Sequence, residues 1–370
     1  MGNIIEYIEN NMHGMSEKSF NAVDSLVLSK LSYMDFKGLV HGIGDRAKPV
    51  RIKDLLKAEM FDSMFRNTRE MENNKMFIYA LASSPRFRDI KMNYYVNNMD
   101  PVMEKQFSAV TYLLDDKTVY IAFRGTDASL IGWKEDFNMA FLSPVPSQQD
   151  GVNYLNTVAR LIPRAMKIRV GGHSKGGNIA VYSSINCKAT VQKRILNVYN
   201  HDGPGFKENL FESDGFKRIK DRINTTLPES SLIGMLLQYH ADYSVVKSSR
   251  RGIMQHEPYS WVVEGDDFSY IENVRSAALF RNRMLNQWLD SMTDEKRKLL
   301  VDALFQVIEK TENEDFNQLF KDWHTGITSI LNAMKNIDAD SKKFIYQTVS
   351  ELIRLSFSNL KRRKAIETNG

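Results

Sequence analysis

The sequence predicts an α/β fold, with a mostly parallel sheet, flanking helices and an α-helical C-terminal extension. Short apolar runs with strand spacing alternate with helical patterns up to about residue 265, and beyond that point the patterns are helical only. Alternating strands and helices are typical of a parallel sheet that helices cover on both faces. We therefore expect one domain over residues 1–265 and a helical extension over residues 266–370.

The individual elements follow from the periodicity of the apolar residues. Residues 17–40 carry apolar side chains at spacings of three and four, which predicts an amphipathic helix. Residues 106–125 hold two apolar runs around a polar turn, which predicts a β-hairpin. Further strands are predicted at 166–170, 195–200 and 243–247, and further helices at 151–165 and 177–187. In the extension, helices are predicted at 270–295, 296–312, 315–336 and 340–363.

The composition is that of a globular protein. With 370 residues, of which 42% are hydrophobic, the chain can bury a large core. No stretch approaches 18 uninterrupted apolar residues, and the first residues lack the pattern of a signal peptide, so we expect a cytoplasmic location. The single cysteine, Cys187, excludes an internal disulfide framework and a cysteine-based zinc site.

The charge pattern does not favour a nucleic-acid partner. The 50 basic residues are dispersed among 45 acidic ones, for a net charge of +5. Only residues 361–364, Lys-Arg-Arg-Lys, form a dense basic run, and contact with an anionic membrane surface stays open there. The predicted helices of the extension could also pair with those of a second copy, so a homo-oligomer stays possible.

The most informative segment is residues 170–177, Val-Gly-Gly-His-Ser-Lys-Gly-Gly. It places Ser174 between Gly172 and Gly176, directly after a predicted strand and before a predicted helix. This arrangement is a nucleophile elbow, a sharp turn that exposes the serine hydroxyl and tolerates only small flanking residues. The segment therefore predicts that Ser174 is a nucleophile.

A serine nucleophile needs a base, and in folds with this elbow the chain order is serine, acid, histidine. His256 lies in a loop-like segment after the last predicted strand and is the leading candidate base. Two other histidines that follow Ser174 lie in predicted helices, His240 and His324.

The acid that orients the base has three candidates. Asp202 follows the predicted strand at 195–200, where a carboxylate would lie beside the nucleophile, and it is the leading one. The Asp-Gly pair that it forms with Gly203 is also typical of a simple turn. Asp242 and Glu229 remain alternatives.

The developing oxyanion needs two hydrogen-bond donors. The backbone N–H of Lys175, directly after the nucleophile, is one because it opens the elbow helix. Thr126 is the second candidate, since Gly125 lets the chain turn toward the site at the end of the hairpin.

Two segments resemble the class-3 lipase branch of the α/β-hydrolases: Ala122-Phe123-Arg124-Gly125-Thr126, with Trp133 and Asp136 downstream, and the elbow. More closely, the chain is similar to an uncharacterised bacterial family of lipase-like proteins over about residues 17–265. Four further segments carry that similarity, at 24–29, 201–206, 232–237 and 255–261. The resemblance implies Ser174 as nucleophile, His256 as base, and Thr126 with Lys175 as the oxyanion hole.

The resemblance does not supply the acid. Class-3 lipases carry it in an Asn-x-x-Asp-x-Val-Pro stretch, and the nearest segment here, residues 223–229, has no Asp. Asp202 instead resembles the placement in the pancreatic-lipase group, where the acid follows the preceding strand.

These observations predict a serine hydrolase of the lipase or esterase type that acts on a small-molecule or lipid ester. Side chains such as Met139, Phe141, Leu142 and Pro144 could form a lid over an apolar acyl chain. No cofactor is expected, and no metal-ligand spacing is found. Two alternatives stay open: a weakly active or inactive hydrolase-fold protein that serves as a binding or scaffold module, and an acyltransferase that uses the same site.

Overall fold

The structure is a computed structural model. It describes residues 2–309 apart from 46–47, 67, 69, 128–133, 137, 140–141, 207, 232, 238–241, 275–278, 280–282 and 284–285. The helices predicted at 315–336 and 340–363 and the basic run at 361–364 lie outside the described residues. So do four of the residues singled out above, namely Trp133, Phe141, His240 and His324.

A nine-stranded mixed sheet forms the centre of the described part, in the order β1-β2-β3-β4-β5-β6-β7-β8-β11. Its strands are β1 (Val50–Arg51), β2 (Lys91–Asp100), β3 (Lys105–Leu113), β4 (Val119–Phe123), β5 (Ile168–His173), β6 (Ile195–His201), β7 (Ile223–Pro228), β8 (Tyr243–Val246) and β11 (Tyr270–Ile271). Strands β9 (Val263–Glu264) and β10 (Asp267–Phe268) form a separate antiparallel pair. Strands β4 to β8 are parallel, and the pairs on either side of them are antiparallel. The predicted α/β fold is confirmed.

Helices cover both faces of this sheet. The helices of the described part include α1 (Ile4–Asn10), α2 (Ala22–Leu31), α3 (Phe61–Phe65), α4 (Met71–Ser83), α5 (Pro146–Leu161), α6 (Lys175–Asn186), α7 (Ala189–Gln192), α8 (Asp214–Ile219) and α9 (Asp294–Glu309). Alternate residues of β4 enter opposite cores: Tyr120 and Ala122 pack with α1, α2 and α4, whereas Val119, Ile121 and Phe123 pack with α5 and α6. Burial on both faces explains why β4 is apolar throughout.

The predicted hairpin and three of the strands are confirmed, as β3–β4 and as β5, β6 and β8. The sequence did not predict β2 or β7. Strand β2 is polar toward its end and carries a bulge between Asn93 and Val96, which breaks the alternation that signals a strand. Strand β7 carries Asn224 near its start and ends in Pro228, and both residue types are depleted in strands, so its pattern resembles that of a loop.

The helix predicted at 17–40 is shorter and is not amphipathic. Helix α2 begins after Asn21, whose side chain forms a capping box with Asp24, and its residues from Val23 to Leu31 are buried. Polar residues on what looked like a solvent face are paired inside the protein. Asp24, for example, forms a buried ion pair with Arg86.

The start of the helical extension also differs from the prediction. Residues 270–271 form strand β11, which pairs with β8, so the helix predicted from residue 270 is wrong at its beginning. The main sheet therefore includes residues beyond 265. Helix α9 lies largely within the predicted helix at 296–312. The division of the chain into two domains stays a prediction.

Candidate active site

Ser174 lies at a sharp turn between strand β5 and helix α6. Its φ and ψ are 58° and −135°, a backbone conformation that residues with a side chain rarely adopt. The backbone N–H of Ser174 donates to the carbonyl oxygen of His201 on the neighbouring strand at 2.9 Å, which holds the turn in place. The chain thus forms the strained strand-to-helix turn that a nucleophile elbow requires.

The glycines on either side of Ser174 allow the turn to pack closely. A Cβ atom on Gly172 would collide with the backbone of Gly176, and one on Gly176 would collide with the carbonyl oxygen of Phe123. The first turn of α6 therefore lies against the end of β4. This close approach brings the elbow beside the segment that contains Thr126.

Asp202 and His256 are joined by a hydrogen bond of 2.6 Å between Oδ2 and Nδ1. Asp202 follows β6, and His256 ends a short 3-10 helix, Gly252–His256, so the partners lie 54 residues apart in the chain. An ionised carboxylate only accepts, so Nδ1 of His256 carries the proton of this bond. In the neutral imidazole Nε2 then has a lone pair, which is what a general base requires.

The carboxylate of Asp202 is fully buried and held by further contacts. Its Oδ1 accepts from the Ser231 hydroxyl at 2.5 Å and from the backbone N–H of Gly234 at 3.2 Å. A buried carboxylate needs such donors because its charge has lost contact with water. Ser231 and Gly234 lie in or next to the segment at 232–237 that carries the lipase resemblance, but the sequence did not predict that they contact the acid.

The two alternative acids lie elsewhere. Asp242 is exposed directly before β8. Glu229 is buried, and its Oε1 lies 3.5 Å from Nε2 of Gln255. Nδ1 of His256 can donate one hydrogen bond, and Asp202 accepts it.

A second histidine near the elbow, His201, belongs to the core. Its Nε2 lies 2.9 Å from the hydroxyl of Ser25 and its Nδ1 lies 2.7 Å from the hydroxyl of Thr226. Burial lowers the pKa of His201 to about 3. His201 therefore stays neutral, and both of its ring nitrogens have hydrogen-bond partners inside the protein.

Thr126 follows β4 next to the elbow. Gly125 packs so closely that a Cβ atom there would come within 2.6 Å of the carbonyl oxygen of His173. The Thr126 hydroxyl lies 2.5 Å from Oδ2 of Asp136, and it donates to that carboxylate when Asp136 is ionised. This leaves the backbone N–H of Thr126 as the candidate oxyanion donor. The backbone N–H of Lys175 is the other, because it opens α6, where N–H groups lack a helical acceptor.

The side chain of Lys175 enters the core beside the site, which the sequence did not predict. Its Nζ lies 3.0 Å from Oε2 of Glu135, 3.1 Å from the carbonyl oxygen of Gln106 and 3.8 Å from Oδ1 of Asp136. Glu135 also accepts from the backbone N–H groups of Gln106 and Ser147, both at 2.9 Å. The pair of Lys175 and Glu135 thus ties the elbow helix to the segment that carries Asp136.

Asp136 connects this buried charge cluster to Thr126. Burial raises the pKa of Asp136 to about 6, and the positive charge of Lys175 opposes that rise. At neutral pH the carboxyl is therefore mostly ionised and accepts a hydrogen bond from the Thr126 hydroxyl. The sequence pointed to Asp136 only through the lipase resemblance, without a contact.

Within the ranges that the structure describes, no three His, Cys, Asp or Glu side chains come together that could hold a metal ion. In those same ranges no helix has both the length and the apolar character needed to cross a bilayer.

Residues 81–306, more than half of the chain, match the model of the Mbeg1-like family. The chain belongs to the Mbeg1-like family. The predicted membership of a lipase-like family is confirmed. The range matched to the Mbeg1-like family includes Ser174, Asp202, His256, Thr126 and Lys175.

A solved structure is also similar. The crystal structure of M37 lipase shares 15% sequence identity with this Mbeg1-like chain over 59% of it and 71% of the lipase chain, with a TM-score of 0.37. A search of curated proteins finds no match.

Proposed function

We propose that this protein is a serine hydrolase that cleaves a carboxylic ester through an acyl-enzyme on Ser174. The observation that carries the proposal is the hydrogen bond between Asp202 and His256, formed in a chain that also presents Ser174 at a strained elbow. Elbow serine, buried acid and histidine follow one another in the chain order of the hydrolases that use this turn.

The first half of the reaction acylates the enzyme. Nε2 of His256 takes the proton of the Ser174 hydroxyl as Oγ bonds to the ester carbonyl carbon. The carbonyl oxygen becomes an oxyanion, which accepts from the backbone N–H groups of Thr126 and Lys175. When the intermediate collapses, the bond to the leaving alkoxide breaks, and protonated His256 gives that oxygen its proton.

The second half restores the enzyme. His256 takes a proton from water, whose oxygen attacks the carbonyl carbon of the acyl-enzyme. The bond to Oγ then breaks, and His256 returns the proton to Ser174. Through both halves Asp202 keeps Nδ1 of His256 protonated and stabilises the imidazolium that forms transiently.

The apolar residues between the Thr126 segment and helix α5 support an ester with an apolar acyl group as the substrate. Met139 is buried and Leu142 is 42% exposed, in the stretch between the Thr126 segment and helix α5. Pro144 lies in the same stretch and is exposed. If this stretch receives the acyl chain, its apolar side chains suit a small-molecule or lipid ester better than a charged substrate.

Hydrolysis of p-nitrophenyl acetate, butyrate and octanoate tests the proposal. We expect turnover by the wild type and a loss of about 10³-fold to 10⁶-fold in kcat for Ser174→Ala, with the fold intact. Ser183→Ala is a matched control on the same helix, since Ser183 Oγ is buried and, within the described part, has no hydrogen-bond partner. Unchanged turnover in folded Ser174→Ala would rule the mechanism out.

A further inference from the structure

His173, the residue directly before Ser174, makes two contacts with His256. Its Nε2 lies 2.8 Å from the backbone carbonyl oxygen of His256. The two imidazole rings also pack together, with centroids 4.5 Å apart and planes at 37°. His173 is buried at the end of β5. One residue of the central sheet thus supports both the main chain and the ring of the candidate base.

These contacts specify which nitrogen of His173 carries the proton. A carbonyl oxygen only accepts, so Nε2 must carry a hydrogen. Burial lowers the pKa of His173 well below its usual value, so the ring is neutral and Nδ1 has a lone pair. That nitrogen lies 2.9 Å from the hydroxyl of Tyr33, which donates to it and lies farther, at 3.3 Å, from the carbonyl oxygen of His173. Tyr33 therefore favours the tautomer that directs an N–H at His256.

Other contacts hold the residues on either side of His256. Nζ of Lys30 lies 2.6 Å from Oε1 of Glu257, in a largely buried ion pair. The indole N–H of Trp261 donates to the carbonyl oxygen of Gln255 at 2.9 Å. These bonds fix the segment as a whole, whereas the bond from His173 fixes the backbone of His256 itself.

We propose that His173 is a positioning residue: its N–H, directed by Tyr33, holds the backbone of His256 so that Nε2 of His256 stays within reach of the Ser174 hydroxyl. This inference rests on the proposed function of Ser174 and His256. Because His173 and Ser174 are consecutive, the hydrogen bond from His173 ties the backbone of the candidate base to the residue next to the nucleophile. A misplacement of about 1 Å in reacting groups costs about 10²-fold in rate.

Three substitutions separate the hydrogen bond from the mere presence of a side chain. His173→Leu removes the donor, and His173→Gln replaces it with an amide N–H at the end of a side chain of similar reach. Tyr33→Phe leaves the imidazole in place but removes the hydroxyl that selects its tautomer. Tyr259→Phe is the matched control, because it deletes a different hydrogen bond of the same segment, 2.8 Å to Oδ1 of Asn74.

Two measurements are made on each folded variant of the full chain. Amide hydrogen exchange of the peptide covering residues 252–261 reports how firmly the segment is held. Steady-state kinetics with p-nitrophenyl butyrate separate kcat from KM. For His173→Leu we expect faster exchange, a kcat lower by about tenfold to 100-fold and a KM within about twofold of the wild type. We expect His173→Gln to recover most of kcat, and Tyr259→Phe to behave like the wild type.

The proposal is overturned if His173→Leu and Tyr259→Phe give the same exchange and the same kcat, or if His173→Gln is as slow as His173→Leu. If His173→Leu does not fold, Tyr33→Phe carries the test: faster exchange with a lower kcat supports the proposal, and wild-type values for both contradict it. The exchange data also separate the two hypotheses. If the wild type has no esterase activity but exchange still rises only in the His173 and Tyr33 variants, the contact between His173 and His256 is supported and the proposed function is wrong.

Discussion

The buried carboxylate of Asp202 lies 2.6 Å from Nδ1 of His256 and accepts a hydrogen bond from its N–H. An amide at position 202 can present an NH₂ group to the ring and so stabilise the wrong tautomer, with the proton on Nε2. We therefore expect Asp202→Asn to lower kcat by about 10³-fold to 10⁴-fold while KM changes little, as measured with p-nitrophenyl butyrate.

Asp242→Asn is the control for this change, because Asp242 is an exposed carboxylate that the sequence also suggested for the role. It should keep the wild-type rate. A near-normal rate in Asp202→Asn would move the acid to another residue.

The ion pair of Lys175 and Glu135 predicts a large effect on stability. Both side chains are fully buried, with Nζ and Oε2 3.0 Å apart. Lys175→Met would leave the carboxylate of Glu135 without its cation, so we expect the free energy of unfolding to fall by about 3–5 kcal/mol. Urea unfolding at neutral pH measures this change. The double variant with Glu135→Gln should lose less than the sum of the single variants, and additive losses would contradict a direct coupling.

Asp136 predicts a dependence of stability on pH. Its pKa of about 6 in the folded protein lies above the ordinary value of 3.8 for an aspartate. The folded state then binds more protons than the unfolded state between about pH 4 and pH 6, so the free energy of unfolding falls as the pH rises through that range. An asparagine at this position does not titrate, so the free energy of unfolding of Asp136→Asn does not fall for this reason as the pH rises.

Relative to the wild type, we expect Asp136→Asn to gain about 1–3 kcal/mol in unfolding free energy between pH 4 and pH 7.5. The measurement is urea unfolding of both proteins at the two pH values. A difference that stays constant with pH would contradict the assignment. We also expect kcat to fall, because the amide no longer offers a charged acceptor to the Thr126 hydroxyl.

For His201 we expect the opposite dependence, a free energy of unfolding that falls as the pH is lowered. Burial holds its pKa at about 3 in the folded protein, whereas the unfolded chain takes up that proton near the ordinary value of 6.5. The unfolded state therefore binds more protons between these values, and the free energy of unfolding falls as the pH drops from about 6.5 toward 3. His201→Gln should lose less unfolding free energy than the wild type between pH 7 and pH 4. Parallel pH curves for the two proteins would contradict the prediction.

The residues around Ser174 could be predicted because their signal is local. The elbow needs two glycines and a serine within five consecutive positions, next to a strand and a helix that are visible in the same stretch. Asp202 is the leading acid candidate because it directly follows a predicted strand, the one after the elbow helix. The parallel pairing of β5 with β6 places that position next to Ser174.

The contacts that support these residues could not be predicted from the sequence. Lys175 and Glu135 are 40 residues apart, and His173 and His256 are 83 apart, so each contact depends on how strands and loops are placed in three dimensions. The sequence indicates only the backbone N–H of Lys175 as functional, and nothing near it in the chain points to a buried partner for its side chain. Helix α2 was misjudged for the same reason, since the buried partner of its Asp24 is Arg86, 62 residues away.

The central claim is that Ser174 is activated by His256, and labelling with a fluorophosphonate probe tests it most directly. Such a probe bonds covalently to a serine oxygen that a neighbouring base has activated. The wild type, Ser174→Ala and His256→Ala are treated with the probe, and mass spectrometry locates the label. We predict labelling of the wild type at Ser174 and none in either variant. A folded wild-type protein that stays unlabelled, or one that is labelled at Ser174 equally well without His256, would contradict the account.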